Sequence, residues 1–293
     1  QVHDPAAGEA VLGHRGEDPL AVSADALQVY RGLEALTGAA TPAERAQLEH
    51  RLLSFVDPGE TFSAGQFAER AHAEIDAALA GGRRPIVVGG TGLYLQAALT
   101  DLELRPRPDP VVRARIQARL HADGPAALHA ELATRTPEIA AGIDPRDRTR
   151  VTRALELLEM GEDPAPTGAD SRLWTANLRH PTLLVGLTMR RDELYARIDA
   201  RVDELIAAGA TQEVERATAA GASRTARAAL GFEELLAGDV QAMQRRTRNY
   251  AKRQLAWMRR LQNVHEIDLG DSSTLDAAAE IGHILATRPG PAA

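Results

Sequence analysis

Two short stretches of this 293-residue chain carry side chains able to act on a substrate. In "VSADALQVY" (22–30), Asp25 follows the apolar run Leu20 to Val22, and in "IVVGGTGLYL" (86–95), Thr91 follows Ile86 to Val88 within a glycine loop. A carboxylate just beyond a parallel strand stands where open α/β sheets bind ligands, and it can accept a proton or orient an amine or hydroxyl. The plain alternative is a turn or helix-cap aspartate. A strand, a glycine turn and a helix N-terminus together form a phosphate cradle, to which Thr91 would offer its hydroxyl and amide; the alternative there is an ordinary tight turn. No Gly-Lys-Ser/Thr follows the loop, and Lys252 is the only lysine of the chain, so these residues hold no Walker-type lysine. The loop therefore reads as a secondary phosphate contact whose main cradle lies elsewhere.

A third stretch points to a polyanion. Residues 241–265, "QAMQRRTRNYAKRQLAWMRRLQNVH", hold six arginines, one lysine and no acid, although the whole chain carries a net charge of −7. Net charge is an average, whereas binding depends on local patches. Asp239 can cap a helix here, with Arg245, Arg248, Lys252 and Arg259 on one face and Ala251, Leu255, Met258 and Leu261 on another. With no acid inside the segment, mutual repulsion calls for an anionic partner, and nucleic acid is favoured over a merely solvated arginine face. Arg105, Arg107, Arg113, Arg115 and Arg119, with "DRTRVTR" (147–153), would add phosphate contacts.

Other chemistries are thinly supported. Cysteine is absent, which removes disulfides, thiolate catalysis and cysteine-zinc sites. The nine histidines never form HxxxH, so a protein-built metal site is not expected. Trp174 and Trp257 read as packing residues rather than stacking platforms. A composition of 44% apolar and 26% charged residues, with no run of 18 apolar residues and no signal-peptide pattern, predicts a soluble cytoplasmic protein without membrane contact. Residue 1 is Gln rather than Met, which suggests a fragment or a processed chain.

The elements that must position these residues follow from periodicity. A strand over Leu20 to Val22, a helix over 63–80 with Ser63 as N-cap and Phe67, Ala71, Ile75 and Leu79 on one face, and a strand over 86–88 imply a parallel α/β sheet. "RPRPDP" (105–110) is a rigid connector. Beyond it, 111–160 reads as wholly helical, with faces Val111-Val112-Ile116-Leu120 and Val151-Leu155-Leu158. A polar loop (161–172), a buried strand within 181–189 and an amphipathic helix over 191–209 ending at Gly209 complete the pattern. The expected organisation is an α/β core from 1–107 and 173–293, interrupted by a helical insertion at 108–172.

Four segments, "SADALQVYRGL", "VVGGTGLYLQAAL", "DPRDRTRVTRALEL" and "TRNYAKRQLAWMRR", resemble in order and spacing the signature segments of the tRNA dimethylallyltransferase family. The likeness runs from about residue 15 to residue 287. It implies a P-loop-kinase-like parallel sheet flanked by helices, with an all-helical insertion domain. It also implies transfer of a dimethylallyl group from dimethylallyl diphosphate to N6 of adenine 37 in tRNAs reading codons that begin with U. The partners implied are dimethylallyl diphosphate and the tRNA anticodon stem-loop, the cofactor is Mg²⁺ carried with the diphosphate, and the expected state is a monomer.

By that resemblance, Asp25 contacts the flipped adenine and acts as base toward its amine, while Thr91 and Arg201, in "RIDARV", act near the diphosphate. Contacts to tRNA are implied for Asp25, Ala26, Leu27 and Gln28, for Thr149, Arg150, Val151, Thr152 and Arg153, and for Thr247, Arg248, Asn249, Tyr250, Ala251, Lys252, Arg253 and Gln254. The roles suit the chemistry: an exocyclic amine needs orientation and a proton acceptor, and a departing diphosphate needs cations. Family members open with a strand, a phosphate loop ending in Gly-Lys-Thr, and a helix. Here "QVHDPAAGEAVLGHRGEDPLAV" (1–22) stands instead, in which only "RGEDPLAV" resembles the end of that helix and the next strand. The resemblance therefore implies an N-terminally truncated enzyme whose sheet lacks a central strand and keeps two open edges. Ala228 stands where a polar residue is implied, which removes one tRNA contact. The alternatives are a non-catalytic tRNA-binding remnant and a small-molecule phosphotransferase.

Overall fold

The computed structural model describes residues 18–101, 106–165, 178–270 and 273–287. The segments at 18–101 and 178–287 form one compact unit, and 106–165 form another. The first unit begins with β1 (Pro19–Ser23), the short helices α1 (Glu34–Thr37) and α2 (Pro42–Gln47), β2 (His50–Arg51), α3 (Ala64–Ala80), β3 (Arg84–Val88) and α4 (Gly92–Leu99). β1 is the central strand of a parallel three-stranded sheet, between β2 and β3. Ser23 pairs with Val88, and Ala24 N donates to Val88 O at 2.7 Å. The chain segments that follow β1 and β3 therefore leave the sheet side by side, which brings Asp25 and the glycine loop together.

α3 begins as expected, with the Ser63 hydroxyl accepting from Gln66 N and the Gln66 side chain returning to Ser63 N. Its buried face is Phe67, Ala68, Ala71, Ile75 and Ala78, while Leu79 is 40% exposed. Steps of four residues drift about 40° each on a helix of 3.6 residues per turn, so the third step leaves the core and Ala78 takes the place. Phe67 packs on the Tyr94 ring at 4.4 Å between centroids, which seats α4 on α3.

The described residues of the second unit hold three helices within the stretch read as wholly helical: α5 (Pro110–Arg135), α6 (Pro137–Ala141) and α7 (Arg148–Glu159). Gly124, with φ 77°, and Pro125 break α5, since neither its backbone angle nor the missing N–H fits a continuing helix. Ile116, Leu120, Leu128, Leu132, Val151 and Leu155 form the core; Val111, placed on that face by periodicity, is 72% exposed in the first turn. Arg113, Arg115 and Arg119 were expected to face phosphates. They pair instead with Glu156, Glu159 and Glu131, acids that the neighbouring helical segments present to them. Arg105 and Trp174 lie outside the described residues.

The first unit resumes with β4 (Leu184–Thr188), α8 (Arg191–Ala207), α9 (Ala210–Ala219), a 3₁₀ turn (Ala226–Ala228), α10 (Phe232–Leu236), α11 (Val240–Met258), β5 (Val264–Asp268) and α12 (Thr274–Thr287). Gly209, at φ 101°, separates α8 from α9, and Asp239 caps α11 through Ala242 N. β4 and β5 pair in parallel as a second sheet. Among the described residues no strand pairs with the outer edge of β3 or of β4, so the parallel strands form two sheets rather than one. The main core lies among β1, α3, α4, α9 and α10, around Val22, Tyr30, Leu33, Phe67, Ala97, Val214 and Phe232.

Candidate active site and nucleic-acid interface

Asp25 is the second residue beyond β1. Its Oδ1 accepts from Leu27 N at 2.8 Å and from Gln28 N at 3.3 Å, so the turn after the strand holds the carboxylate in place. Among the described residues no donor reaches Oδ2. Burial raises the pKa of Asp25 above the usual aspartate range, and the two backbone donors oppose that shift in part. A fixed carboxylate with one open oxygen and raised basicity is suited to taking a proton.

Gln28 is 8% exposed and faces inward. Its carboxamide accepts from Ser23 Oγ at 3.0 Å and donates to Gly38 O at 3.2 Å. Arg201 reaches the same carbonyl from α8, Nη2 to Gly38 O at 3.4 Å. Gly38 is left-handed at φ 57°, and a Cβ there would overlap the Arg201 guanidinium. Asp25 and Arg201, far apart in sequence, are thus linked through Gln28 and Gly38.

Thr91 caps α4 without spending its hydroxyl on the helix. Its Oγ1 lies 3.5 Å from Ala26 N and 3.2 Å from the Tyr250 hydroxyl. Tyr250 also lies within donating distance of Gly90 O, at 3.3 Å, and Gln254 Nε2 donates to that carbonyl at 3.0 Å. Burial raises the pKa of Tyr250, as it does more strongly for Tyr94, and the charge of Asp25 raises both further. Gly89, Gly90 and Gly92 make the short turn between β3 and α4 without any left-handed backbone. A Cβ on each would overlap Ala24 O, Gln254 Nε2 and the Trp257 ring respectively. These glycines admit three neighbours at close range.

α11 has two working faces. Tyr250, Gln254 and Trp257 turn inward to the loop and Ala251 is buried, whereas Asn249, Lys252, Arg253, Arg259 and Arg260 are exposed. Three cations of this acid-free segment are paired within the protein, contrary to the expectation that an external anion must relieve their repulsion. Arg248 pairs with Asp199 of α8 at 2.6 Å, Arg246 with Glu234 of α10 at 2.8 Å, and Arg245 with Asp239 at 3.8 Å. The acids come from outside the segment, where a reading of its own composition could not find them. Arg248 and Lys252 both sit over the Tyr195 ring, 5.9 and 5.8 Å from its centroid, and the Thr247 hydroxyl donates to Met243 O.

In the helical unit, Asp147 caps α7 by accepting from Thr149 N and Arg150 N, leaving both residues exposed. Val151 and Thr152 are buried, and Arg153 pairs with Glu156 and donates to Pro106 O. Ala228 contributes its carbonyl, which accepts from Arg246 Nη2 at 3.3 Å. Among the described residues no group of three or more His, Asp or Glu side chains gathers into a metal nest, and no helix is long and apolar enough to cross a membrane.

The inward face of α11 was missed by sequence reasoning, although Tyr250, Gln254 and Trp257 share one helical face by spacing. The pattern was visible; its partner, over 150 residues away, was not.

Comparison with known proteins places these features. The sequence model of IPP transferase matches residues 28–261, which include Gln28, the glycine loop, Arg201 and all of α11. A tRNA dimethylallyltransferase of Kineococcus radiotolerans is 40% identical over 278 residues, covering 90% of this chain and 86% of its own. One from Rhodospirillum centenum is 44% identical over 269 residues, covering 85% and 83%. The crystal structure of the tRNA isopentenylpyrophosphate transferase of Bacillus halodurans superposes with a TM-score of 0.67 at 31% identity, over 96% of this chain and 91% of that one. A eukaryotic dimethylallyltransferase acting on tRNA shares the fold, with a TM-score of 0.77 at 24% identity over 98% and 78%. A family model spanning most of the sequence, relatives matched over most of their length and a common parallel-sheet fold agree: this chain belongs to the IPP transferase family.

Proposed function

We propose that this chain transfers a dimethylallyl group from dimethylallyl diphosphate to N6 of adenine 37 in tRNAs reading codons that begin with U, acting as a cytoplasmic monomer. The observation that carries this reading is the meeting of Asp25 and Thr91 at the ends of paired strands, beneath a helix whose outer face is cationic. The allylic carbon–oxygen bond of the diphosphate breaks, the carbon bonds to N6, and the amine proton passes to Oδ2 of Asp25. Thr91 donates to a diphosphate oxygen, and Arg201 supplies a cation to the leaving group, each charge-assisted contact contributing about 1.5–3 kcal/mol. The adenine must leave its stack to reach the half-buried Asp25 carboxylate. Lys252, Arg253 and the exposed arginines at the end of α11 hold phosphates of the anticodon stem-loop. Arg150 and Thr149, exposed in the helical unit, are tRNA contacts of that unit in their own right.

Magnesium enters this reading with the diphosphate. The described residues do not form a protein-built nest for it, and no step here passes through the metal. The test is incubation with labelled dimethylallyl diphosphate and an anticodon stem-loop carrying adenine 37, followed by digestion to nucleosides. Labelled N6-dimethylallyl adenosine from that position supports the proposal. RNA that is bound but unmodified returns the chain to a binding role without transfer.

A further inference from the structure

We propose that Tyr250 and Gln254 are positioning residues for Thr91 and not contacts to RNA; the inference rests on the transferase reading only for the purpose that the positioning serves. The resemblance placed both residues at the tRNA surface, but their polar atoms are engaged on the opposite side of α11. Gln254 Nε2 holds Gly90 O at 3.0 Å, and the Tyr250 hydroxyl sits 3.2 Å from Thr91 Oγ1 and 3.3 Å from Gly90 O. Trp257, one turn further on, closes over Gly92. Three side chains of one helical face therefore fasten three consecutive loop residues.

This fastening has a specific effect on Thr91. A threonine hydroxyl can make three hydrogen bonds, one as donor and two as acceptor. Ala26 N–H, at 3.5 Å, takes one acceptor direction. The Tyr250 hydroxyl takes the other when its single proton points to Thr91 Oγ1 rather than to Gly90 O, which Gln254 already holds. The Thr91 proton is the direction left for a diphosphate oxygen, and it cannot wander, because α4 fixes the Thr91 backbone while Tyr250 fixes the rotor. A polar group held in one direction before the ligand arrives costs no reorganisation when charge develops. Burial holds the Tyr250 phenol in its neutral form, in which it can serve as the partner of Thr91.

The division of labour along α11 is then sharp. Residues 250, 254 and 257 serve the loop, whereas Lys252 and Arg253, between them on the outer face, are left for phosphate. Arg253 sits over the Tyr250 ring at 5.4 Å, so the two faces meet at that one side chain.

The experiment measures amide hydrogen exchange of the 89–95 segment in the full chain for Tyr250→Phe, Gln254→Leu, Thr91→Val and the Tyr250→Phe/Thr91→Val pair. The same proteins are titrated with an anticodon stem-loop, with Arg253→Ala as the comparison. Losing one hydrogen bond should speed loop exchange roughly fivefold in Tyr250→Phe and in Gln254→Leu. In the Thr91→Val background, Tyr250→Phe should add little, because its partner is already gone. RNA affinity should change less than twofold in Tyr250→Phe and fall clearly in Arg253→Ala. Unchanged loop exchange in both single variants, fully additive effects in the pair, or RNA weakening by Tyr250→Phe to match Arg253→Ala would each overturn the assignment. Should the parent fail to bind the stem-loop, the transferase reading falls, while the exchange data still decide the role of Tyr250 and Gln254.

Discussion

Gly89 and Gly90 are neighbours with the same side chain, yet alanine should be tolerated at one and not at the other. A Cβ at Gly89 would overlap Ala24 O and lie 2.7 Å from the Ala24 carbonyl carbon, where ordinary contact begins near 3.4 Å. Both clashing atoms are backbone, and they belong to the junction where Ala24 N donates to Val88 O at 2.7 Å. The ends of β1 and β3 must therefore part by roughly 1 Å, an overpacking that costs about 1–3 kcal/mol. At Gly90 the clash is with the amide end of the Gln254 side chain, which can swing away. That change forfeits one hydrogen bond, about 0.5–1.5 kcal/mol. Urea unfolding of the two variants beside the parent measures the difference at constant m-value. Gly89→Ala should also slow transfer on the order of 10²-fold, since it separates Asp25 from Thr91 by about 1 Å. Equal destabilisation, or a larger loss in Gly90→Ala, would refute the idea that these glycines are set by their neighbours.

Asp25→Asn should lower the single-turnover transfer rate by roughly 10²–10⁴-fold with little change in RNA affinity, because the amide keeps the shape and loses the proton acceptor. The same variant should gain stability relative to the parent as pH rises. The folded-state pKa of Asp25 is raised by burial, so no penalty exists below the ordinary aspartate pKa and the penalty is complete above the raised one; melting temperatures across that window test the sign. Asp76, held by Arg179 and His180, has a lowered pKa, so the advantage of the parent over Asp76→Asn should be present above the ordinary aspartate range and fade as pH falls through the lowered value. Lys252→Ala should weaken stem-loop binding and reduce the salt slope by about 0.7–0.9, whereas Arg246→Ala, which strips Glu234 of its partner, should show mainly as lost stability. With Lys252 as the sole lysine, the 293 residues should bind dimethylallyl diphosphate weakly, and calorimetric binding tighter than roughly 1 μM would reveal a cradle not described above.

The local signals in the sequence were strong where one short segment decides the outcome. Ser63 and Asp239 cap their helices, Gly209 parts α8 from α9, and the Ile86 to Val88 run is a strand leading into a helix N-terminus. The parallel arrangement followed from the order of elements. What stayed hidden depends on partners brought together by folding. The reason for the glycines at 89, 90 and 92 lies in Ala24, Gln254 and Trp257, and the neutralisation of Arg248 lies in Asp199. Arg113 and Arg119 looked like phosphate ligands for the same reason, since Glu156 and Glu131 stand on other turns or other helices. For the site, Asp25 and Thr91 could be singled out by position after a strand, while the link between Arg201 and Gly38 had no local trace.

The pairing of Arg248 with Asp199 bears on how RNA reaches the protein. From afar, an arginine bound to a carboxylate is a dipole, and its pull on a polyanion dies away faster with distance than that of a lone charge. Arg248 thus adds little to the rate of encounter, which falls to exposed cations such as Lys252, Arg253 and Arg259. Once a phosphate is close, it must displace Asp199 to engage Arg248, and that exchange succeeds only for a strand lying in the right register. RNA would be captured by one set of cations and seated by another, so that passing polyanions are caught briefly and let go.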